Sequence, residues 1–480
     1  MESLRLLLPE LFLSGAAMLL LGLDAFLKER KKCWVLFVSF LSLFITFLLL
    51  MNHPETGVAF GMLVTDPFSH FFKILAILSA GLILMISEKD PELMGENSGT
   101  YASLILFSVV GTMFLSSAKD LLLLFLGMEL TTIPLFILAG FLKSDLRSSE
   151  GAIKFFLIGA FSTGLMLFGI SYLYGLTGST QFKEIYEWYN KSQLAGADGI
   201  LFFLSILFLL VGLGFKLSLV PFHQWTPDTY QGSPTPITAF FSVSREAGVI
   251  VVTLRFFTEY LSRSEMGMTP FFALLSILTM TVGNIAALRQ DNLKRLLAYS
   301  SIAHAGTILI GLVAGSPLGR EGVMLYSLAY FLMSLGAFTV VIAISRIKGS
   351  EDISSLQGLA KENFPLALLM LFFLLSLSGI PPFLGFWGKF YVFWAAIEAK
   401  LFYLVVIALL NAVVAVYYYF RIVRKMFFQE PQVSSVGVSG VQKQFSLELT
   451  TLVVASLLLI LGIFPQGLIA WIKGTATILP

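Results

Sequence analysis

Apolar residues run along this chain in long stretches, and short polar segments separate them. A helix needs about 20 residues to cross ~30 Å of hydrocarbon, because each residue advances it by about 1.5 Å. The pattern predicts about fourteen transmembrane helices. We place them at residues 4–26, 33–51, 68–87, 101–118, 121–142, 152–175, 200–222, 236–261, 270–288, 296–314, 323–344, 364–397, 401–428 and 447–471. The twelfth stretch is too long for one straight span.

The composition supports an all-α polytopic membrane protein. Of the 480 residues, 57% are hydrophobic and 12% are charged, about half the charged fraction of an average soluble domain. The connections are too short for a separate soluble domain. The longest one, residues 177–199, mixes charged and aromatic residues, and we predict that it lies at the membrane surface. Basic residues follow the first stretch instead of preceding it, which indicates an uncleaved first helix.

The distribution of lysine and arginine predicts the orientation of the chain. With the amino terminus outside, the inner connections and helix ends hold 17 of the 31 Lys and Arg residues. The outer ones hold 8, and the remaining 6 lie inside spans. Inner loops of membrane proteins carry the positive excess, so both termini are predicted on the outer side.

Few of the usual reactive groups occur in this sequence. The single cysteine, Cys33, excludes an intramolecular disulfide, a cysteine-held iron-sulfur cluster and a thiolate zinc site. The four histidines show no close metal-ligand spacing, and no glycine-rich phosphate loop follows a strand pattern. We therefore expect this chain to bind no cofactor, metal or nucleic acid of its own.

Charged residues inside the spans are the main functional signal. An ionisable side chain at the bilayer centre costs ~2.5–3.5 kcal/mol even on the lenient insertion scale. Long apolar flanks favour a functional role for Glu129, Lys216 and Lys389. Lys73 and Arg255 lie nearer to span ends, which favours side chains that reach water or pair locally. The cations inside spans are Lys73, Lys154, Lys216, Arg245, Arg255 and Lys389.

Lysine and glutamate in such positions are suited to handling protons. Burial lowers the pKa of a lysine toward neutrality and a nearby carboxylate raises it again, so a pair whose separation changes can take up and release a proton. Glu129 and Lys216 form such a pair if their helices pack together. Lys154 follows Glu150 by one helical turn, so a local ion pair and a functional role both remain open.

The remaining acids in the first span have a simpler interpretation. Glu10 and Asp24 lie near its two ends. We expect them to hold helix ends or a neighbouring subunit.

Two spans are interrupted by proline. Pro221, in "KLSLVPFHQW", removes a backbone donor, so the seventh helix is predicted to unwind just after Lys216. The segment "LSLSGIPPFLGFWGKF" predicts a second proline break, in the twelfth span, with Lys389 just beyond it. Freed carbonyls in a membrane must be buried in protein or line a wet cavity. Paired interruptions indicate two inverted repeats of about five spans, beginning near the fourth and ninth; two chance kinks are the alternative.

The segment "ALRQDNLKRLLAYSSIAHAG" leads from a connection into the tenth span. We interpret Arg289 and Arg295 as ordinary inner-loop charges. Lys294 and His304 are spaced for a helix that carries polar groups into the membrane. Histidine titrates near neutrality, so His304 either relays a proton between the two broken helices or serves as a hydrogen-bonded structural residue.

The sequence resembles a known family. "GFKLSLVPFHQWTPDTYQGSPTPITAFFSV", "LKRLLAYSSIAHAG" and "LSLSGIPPFLGFWGKF" are similar to the antiporter-like membrane subunits of respiratory complex I and of Mrp sodium/proton antiporters. "PDTYQGSPTPITAF" resembles the N subunits of NADH-quinone oxidoreductase in particular. The resemblance covers nearly the whole chain, from "PELFL" to "AVVAVYYYFRIV".

The resemblance implies a fourteen-helix fold with inverted five-helix repeats and discontinuous helices 7 and 12. The corresponding division is residues 1–100 for helices 1–3, 101–262 for the first repeat, 263–428 for the second and 429–480 for the last helix. It also implies proton translocation across the cell inner (plasma) membrane, driven by quinone reduction elsewhere in the complex. NADH, FMN, iron-sulfur clusters and quinone are expected on partner subunits, both membrane and peripheral.

The family's functional residues can be carried onto this sequence one by one. Its fifth-helix acid falls on Glu129, and its seventh- and twelfth-helix lysines fall on Lys216 and Lys389. Its eighth-helix lysine falls on Arg245, a departure, because arginine keeps its proton at any pH the protein meets. We interpret that arginine as a fixed positive charge.

The predicted function is proton translocation without electron transfer. The principal residues are Glu129, Lys216 and Lys389, and the secondary candidates are Arg245, His304, Lys294, Lys154 and His223. A sodium/proton antiporter subunit, a non-conducting scaffold and a hydrogenase-linked relative are the alternatives.

Overall fold

The structure, a computed structural model, describes residues 2–24, 26, 33–52, 56–95, 97–192, 196–257, 268–431 and 445–476. The side chains of residues 2, 33 and 245–247 lie outside that description. Within these residues the chain forms helices and one small β-hairpin. The elements are α1 (Glu2–Leu6), α2 (Leu8–Asp24), α3 (Cys33–Asn52), β1 (Gly57–Ala59), β2 (Leu63–Thr65), α4 (Pro67–Ser87), α5 (Ser98–Ser117), α6 (Leu121–Ala139), α7 (Leu146–Thr177), α8 (Phe182–Lys191), α9 (Ala197–Lys216), α10 (Trp225–Gly232), α11 (Thr235–Leu254), α12 (Met268–Ala287), α13 (Leu293–Ala314), α14 (Pro317–Lys348), a 3-10 helix (Ile353–Leu356), α15 (Leu359–Glu362), α16 (Phe364–Ser378), α17 (Leu384–Glu398), α18 (Phe402–Phe428), α19 (Phe445–Ile463) and α20 (Gln466–Thr475).

Twelve helices within the described residues are long and apolar enough to cross a membrane. They are α3 to α7, α9, α11 to α14, α18 and α19. The predicted first span corresponds mainly to α2, which has 17 residues, and the predicted twelfth span is divided into α16 and α17 of 15 residues each. The chain is thus an all-helical polytopic membrane protein with about twelve candidate spans.

Both predicted helix breaks are confirmed. α9 ends at Lys216, and helical structure resumes at Trp225 in α10. α16 ends at Ser378, Gly379 follows with φ +82°, and α17 begins at Leu384. Proline supplies no N–H to continue a helix, and glycine adopts the left-handed conformation that ends one without steric penalty.

Many polar side chains of the bundle are buried in its interior. α5, α11, α13 and α14 are largely buried, whereas α3, α7 and α18 leave wide faces exposed. Those exposed faces carry leucine, isoleucine, valine and phenylalanine, as expected for surfaces in contact with lipid. All four buried helices contribute serine and threonine side chains to the interior, and α13 adds Lys294 and His304.

Two pairs of chain segments make matching backbone contacts. Residues 119–121 exchange hydrogen bonds with 180–182, and residues 291–293 exchange them with 351–353. The first contact brackets α6 and α7, and the second brackets α13 and α14. α7 and α14 each have 32 residues. The segments α6–α7 and α13–α14 thus share the same kind of backbone contact and a second helix of equal length, and a broken helix follows each segment.

Of the two alternatives predicted for Lys73, pairing with a carboxylate is present and access to water is not. Lys73 is fully buried, and its Nζ lies 2.6 Å from a carboxylate oxygen of Glu10. Glu10 therefore pairs inside the bundle, which corrects its expected role at a helix end or a neighbouring subunit. Asp24 does hold a helix end, because its carboxylate accepts hydrogen bonds from the backbone N–H groups of Gly99 and Thr100 at the start of α5.

Arg255 is likewise paired and fully buried, so it does not reach water. Its guanidinium binds the carboxylate of Asp66, which precedes α4. In the predicted surface connection, the described residues include the short amphipathic helix α8, which buries Phe182 and Ile185 against the bundle.

Candidate functional site

The first polar group of the interior lies where α6 meets the end of α9. Lys216 is the last residue of α9 and is 1% exposed. Its Nζ lies 3.9 Å from Oε1 of Glu129 on α6 and donates a hydrogen bond to the hydroxyl of Thr132, one turn further along α6. The predicted pairing of Glu129 with Lys216 is confirmed.

Two aromatic rings also lie near the ammonium of Lys216. The ammonium lies 5.2 Å from the ring centre of Phe215 and 5.6 Å from that of Phe136. Ring faces attract a cation without accepting its proton. At 3.9 Å the carboxylate is in contact range but outside the usual distance of a charge-assisted hydrogen bond. The pair is therefore loose enough to tighten or separate through a small movement.

Glu129 is the more accessible member of the pair. Its side chain is 23% exposed, and Oε1 accepts a hydrogen bond of 3.0 Å from Thr163 on α7. Leu126, one turn earlier on α6, and Phe161 on α7 are also exposed. A carboxylate on such a face faces either water or another protein, because lipid offers it no hydrogen bonds.

At the first break, hydrogen bonds that involve side chains add to the backbone hydrogen bonds of the turns. The indole N–H of Trp225 donates to the Phe215 carbonyl at 3.2 Å. The backbone N–H of Val220 donates at 3.1 Å to the hydroxyl of Thr279 on α12. The first break therefore contacts α12 directly.

The second polar group lies at the break between α16 and α17. Lys389 is 8% exposed, and its Nζ donates hydrogen bonds of 2.9 Å to the carbonyls of Leu377 and Ser378. These carbonyls are freed by the end of α16. Among the described residues, no carboxylate lies within ion-pair distance of Lys389. The prediction that a buried lysine lies against unwound backbone is thus confirmed for Lys389, whereas Lys216 binds side chains of α6.

Gly379 makes room for Lys389. A Cβ built on this glycine would lie 2.7 Å from Cδ of the lysine, and its φ of +82° is one that L side chains rarely adopt. We expect Gly379→Ala to displace Lys389 and to lower coupled proton translocation in the assembled complex. Gly315→Ala is the control, because Gly315 has φ +59° and no atom within 4 Å of its Cβ position. Equal translocation in the two variants would contradict the displacement.

His304 lies beside Lys389 and is bound by tyrosines. Its Nδ1 is 2.8 Å from the hydroxyl of Tyr326 on α14, and its Nε2 is 3.3 Å from that of Tyr419 on α18. Tyr419 also contacts the hydroxyl of Ser300. His304 and Lys389 line one cavity, together with residues that include Asn284, Asn411 and Tyr418. The hydrogen-bonded environment is confirmed, and a relay function for His304 stays a prediction.

A third group gathers at the beginning of α13. Lys294 is buried, its Nζ lies 2.9 Å from Oε1 of Glu351, and it donates to the Ser233 carbonyl at 2.9 Å. The prediction that Lys294 carries charge into the bundle is confirmed. The adjacent Arg295, interpreted from the sequence as an ordinary inner-loop charge, lies in the first turn of α13 and binds Asp228 on α10 at 2.6 Å.

Lys154 joins the same group from α7. The predicted pair with Glu150 is present at 2.6 Å, and a second carboxylate, that of Asp228, lies 2.7 Å from the same Nζ. Asp228 is thus shared between cations from two helices. Neither Asp228 nor Glu351 was singled out from the sequence, although Asp228 belongs to the quoted motif "PDTYQGSPTPITAF".

Two predicted residues remain outside these groups. The backbone of Arg245 lies in α11, and its side chain is outside the described part of the chain. His223 lies in the connection between α9 and α10, and its Nδ1 is buried without a hydrogen-bond partner among the described residues. Within the described residues, no cluster of three His, Cys, Asp or Glu side chains is arranged to hold a metal ion.

Comparison with known proteins identifies the family. Residues 118–415 match the family described as "NADH:quinone oxidoreductase/Mrp antiporter, TM". The chain is 40% identical over 468 residues to NADH-quinone oxidoreductase subunit N 2 of Solibacter usitatus, covering 95% of this chain and 93% of that protein. It is 39% identical to subunit N of Trichlorobacter lovleyi, over 89% and 88% of the two chains.

Solved structures agree with this assignment. A chain of respiratory complex I from Thermus thermophilus superposes with a TM-score of 0.79 at 31% identity, covering 96% of this chain and 98% of that one. A chain of the Mrp complex from Dietzia sp. has a TM-score of 0.83 at 19% identity, covering 98% and 97%, and shares the fold. The chain therefore belongs to the antiporter-like membrane family of NADH:quinone oxidoreductase and Mrp complexes, and within it to the N subunits of NADH-quinone oxidoreductase.

Proposed function

We propose that this subunit moves protons across the membrane, coupled to quinone reduction elsewhere in NADH-quinone oxidoreductase. The observation that carries the proposal is the loose pair of the buried Lys216 with the partly exposed Glu129, 3.9 Å apart beside the end of a broken helix. Removing charges from water costs free energy that only close contacts between the two groups repay. A pair with a long separation therefore contributes little to the stability of the fold. It is well suited to changing the proton affinity of its lysine when the distance changes.

The two buried lysines divide the work. Lys216 exchanges its proton under the control of Glu129, which reaches the outer face of the chain. Lys389 takes up and releases its proton while it lies next to the carbonyls of Leu377 and Ser378. The dipoles of these carbonyls stabilise the ammonium, although they carry no full negative charge. His304, hydrogen-bonded to tyrosines, passes the proton toward Lys389.

Three further residues support this route. Lys294 lies at the beginning of α13, where its ion pair with Glu351 marks the inner mouth of the pathway. Arg245 on α11 supplies a fixed positive charge, because a guanidinium does not release its proton. His223 lies beside the first break and contributes secondarily.

We place the chain in the membrane as fourteen spans containing two inverted five-helix repeats. Adding α2 and the joined pair α16–α17 to the twelve long helices gives that number. The repeats are residues 101–262 and 263–428, preceded by three helices and followed by the last helix after residue 429. The matching backbone contacts before α6 and α13 support the division. An odd number of spans in each repeat requires the two to be inverted.

The repeat correspondence explains why the two lysines differ. Leu121 and Leu293 occupy equivalent places in the two contacts. Counted from them, Thr132 stands where His304 stands in the second repeat, and Glu129 corresponds to Ser301. The second repeat thus provides a titratable ring in place of the first repeat's hydroxyl and carries no carboxylate at the position of Glu129.

The remaining components lie on partner subunits. We place NADH, FMN, iron-sulfur clusters and quinone on other membrane and peripheral subunits of the complex. The chain itself lies in the inner (plasma) membrane with both termini outside, which the excess of Lys and Arg on the inner connections supports. The exposed carboxylate of Glu129 supports a neighbouring membrane subunit on the face formed by α6 and α7.

Replacing Lys389 tests the proposal. In the reconstituted complex we expect Lys389→Ala to lower the number of protons moved per electron pair, because the freed carbonyls lose the ammonium that exchanges the proton. The measurement is proton uptake and NADH oxidation on the same vesicles, normalised to assembled complex. An unchanged proton yield with normal assembly would favour a non-conducting scaffold. A yield that depends on sodium would favour sodium/proton exchange.

A further inference from the structure

The carboxylate of Asp228 is shared by cations from two different helices. Oδ2 lies 2.7 Å from Nζ of Lys154 on α7, and Oδ1 lies 2.6 Å from the guanidinium of Arg295 on α13. Arg295 also donates to the side-chain oxygen of Gln231, one turn further along α10, at 3.2 Å. Both oxygens of Asp228 are therefore occupied, and α10 is held between the two repeats.

Close backbone packing also holds α10 against the beginning of α7. A Cβ built on Gly232 would lie 2.3 Å from the carbonyl oxygen of Arg147, and one on Gly151 would lie 3.1 Å from the carbonyl oxygen of Asp228. The hydroxyl of Thr229 donates to the Gly151 carbonyl at 3.1 Å. The first turns of α7 and the second half of α10 are therefore in close backbone contact, so a shift of one moves the other.

The other end of α10 reaches the first break. Trp225, its first residue, donates to the Phe215 carbonyl at 3.2 Å and stacks on Phe155 of α7 with ring centres 4.1 Å apart. Thr226 donates to the hydroxyl of Ser218 at 2.8 Å. Phe215 immediately precedes Lys216, so α10 contacts the last turn of α9 directly.

We infer that Asp228 is a positioning residue through which the second repeat sets the geometry of Lys216. The cations of α7 and α13 fix the Asp228 carboxylate, α10 transmits that position to Trp225, and Trp225 holds the last turn of α9. A rearrangement at the beginning of α13, where Lys294 also binds the Ser233 carbonyl just beyond α10, would move α10 and with it Lys216. This inference rests on the proposed role of Lys216.

Charge-removing variants of the assembled complex test the inference. We expect Asp228→Asn to lower the proton yield per electron pair about fivefold or more, because small misplacements of a reacting group are costly. Asp228→Glu should restore most of the yield. Lys154→Gln and Arg295→Gln should each have a partial effect, and the double variant should match Asp228→Asn, because residues of one network act non-additively.

Glu150→Gln is the matched control. Glu150 is 64% exposed and binds the same Nζ of Lys154 at 2.6 Å, yet it lies on α7 and does not hold α10. Its replacement should leave the proton yield at the wild-type value. A loss of yield equal to that of Asp228→Asn would show that the charge of Lys154, and not the position of α10, is what matters, and would overturn the inference.

The outcomes separate this inference from the proposed function. A purely structural role predicts less assembled complex with an unchanged yield per complex, and that result for Asp228→Asn overturns the inference. If Asp228→Asn fails to assemble, wild-type yields in both Lys154→Gln and Arg295→Gln overturn it instead. Lys216→Ala is measured alongside: a wild-type yield there contradicts the proposed function, whereas a loss there with normal Asp228 variants contradicts this inference alone.

Discussion

Replacing Lys216 by alanine is expected to lower proton translocation coupled to quinone reduction by about a hundredfold through this subunit, within the range that a positioned proton-transfer group contributes. The substitution removes the ammonium that contacts Glu129 and Thr132. The carboxylate then has no lysine whose proton affinity it can control. The measurement is the pumping of protons by the reconstituted complex at a matched rate of NADH oxidation.

Three variants around Lys216 define what is lost. Lys216→Arg keeps the positive charge but does not release a proton, so it should also fail to pump. Glu129→Gln keeps the hydrogen bond from Thr163 and removes the charge, so it should reduce pumping strongly as well. Thr132→Val removes only the hydroxyl and should have a smaller effect, because the ion pair remains.

A surface ion pair supplies the control for this series. Lys361 binds Glu430 at 2.6 Å with side chains that are 55% and 81% exposed. Lys361→Ala should assemble and pump normally, since exposed pairs contribute little to stability. Normal pumping by Lys216→Ala in assembled complex would refute the proton-exchange role.

The sequence was sufficient for features that depend on local chemistry. Proline and glycine terminate helices for reasons contained in a few residues, so the breaks after Lys216 and at Gly379 were predictable. The cost of charge in lipid identified Glu129, Lys216 and Lys389 as unusual without any knowledge of their partners. The division of the twelfth span into two half-helices followed from its length and its prolines.

Contacts between distant segments could not be read in the same way. Asp228 is 74 residues from Lys154 and 67 residues from Arg295, and no local pattern links them. Arg295 has the sequence context of an ordinary inner-loop charge, so only the packing of α10 against α13 reveals its partner. The choice between access to water and pairing stayed open for Lys73 and Arg255 for the same reason, because only the structure shows that the surrounding helices cover them.

The ion pair of Arg255 with Asp66 is expected to hold the first helices to the rest of the bundle. The guanidinium contacts the two carboxylate oxygens at 2.8 and 3.2 Å, and it donates to the Ser116 carbonyl at 3.4 Å. Asp66 also caps α4 by accepting a 2.7 Å hydrogen bond from the N–H of Ser69. One buried pair thus joins α4, α5 and the end of α11.

Arg255→Ala should therefore destabilise the subunit by about 3–5 kcal/mol, because it leaves the Asp66 carboxylate buried without its countercharge. Thermal unfolding in detergent and the amount of assembled complex measure the effect. Lys191→Ala, which breaks an exposed pair with Glu187, is the control and should change neither quantity.

The double variant Asp66→Asn/Arg255→Met distinguishes a lost attraction from a stranded charge. Asparagine can still cap α4, and methionine fills much of the space of the arginine stem, so no ion remains buried. If the stranded carboxylate causes the loss, the double variant should recover a large part of the stability missing in Arg255→Ala. If the double variant is as unstable as the single one, the guanidinium contacts to Phe68 and Ser116 hold the helices together, and the charge of Asp66 is secondary.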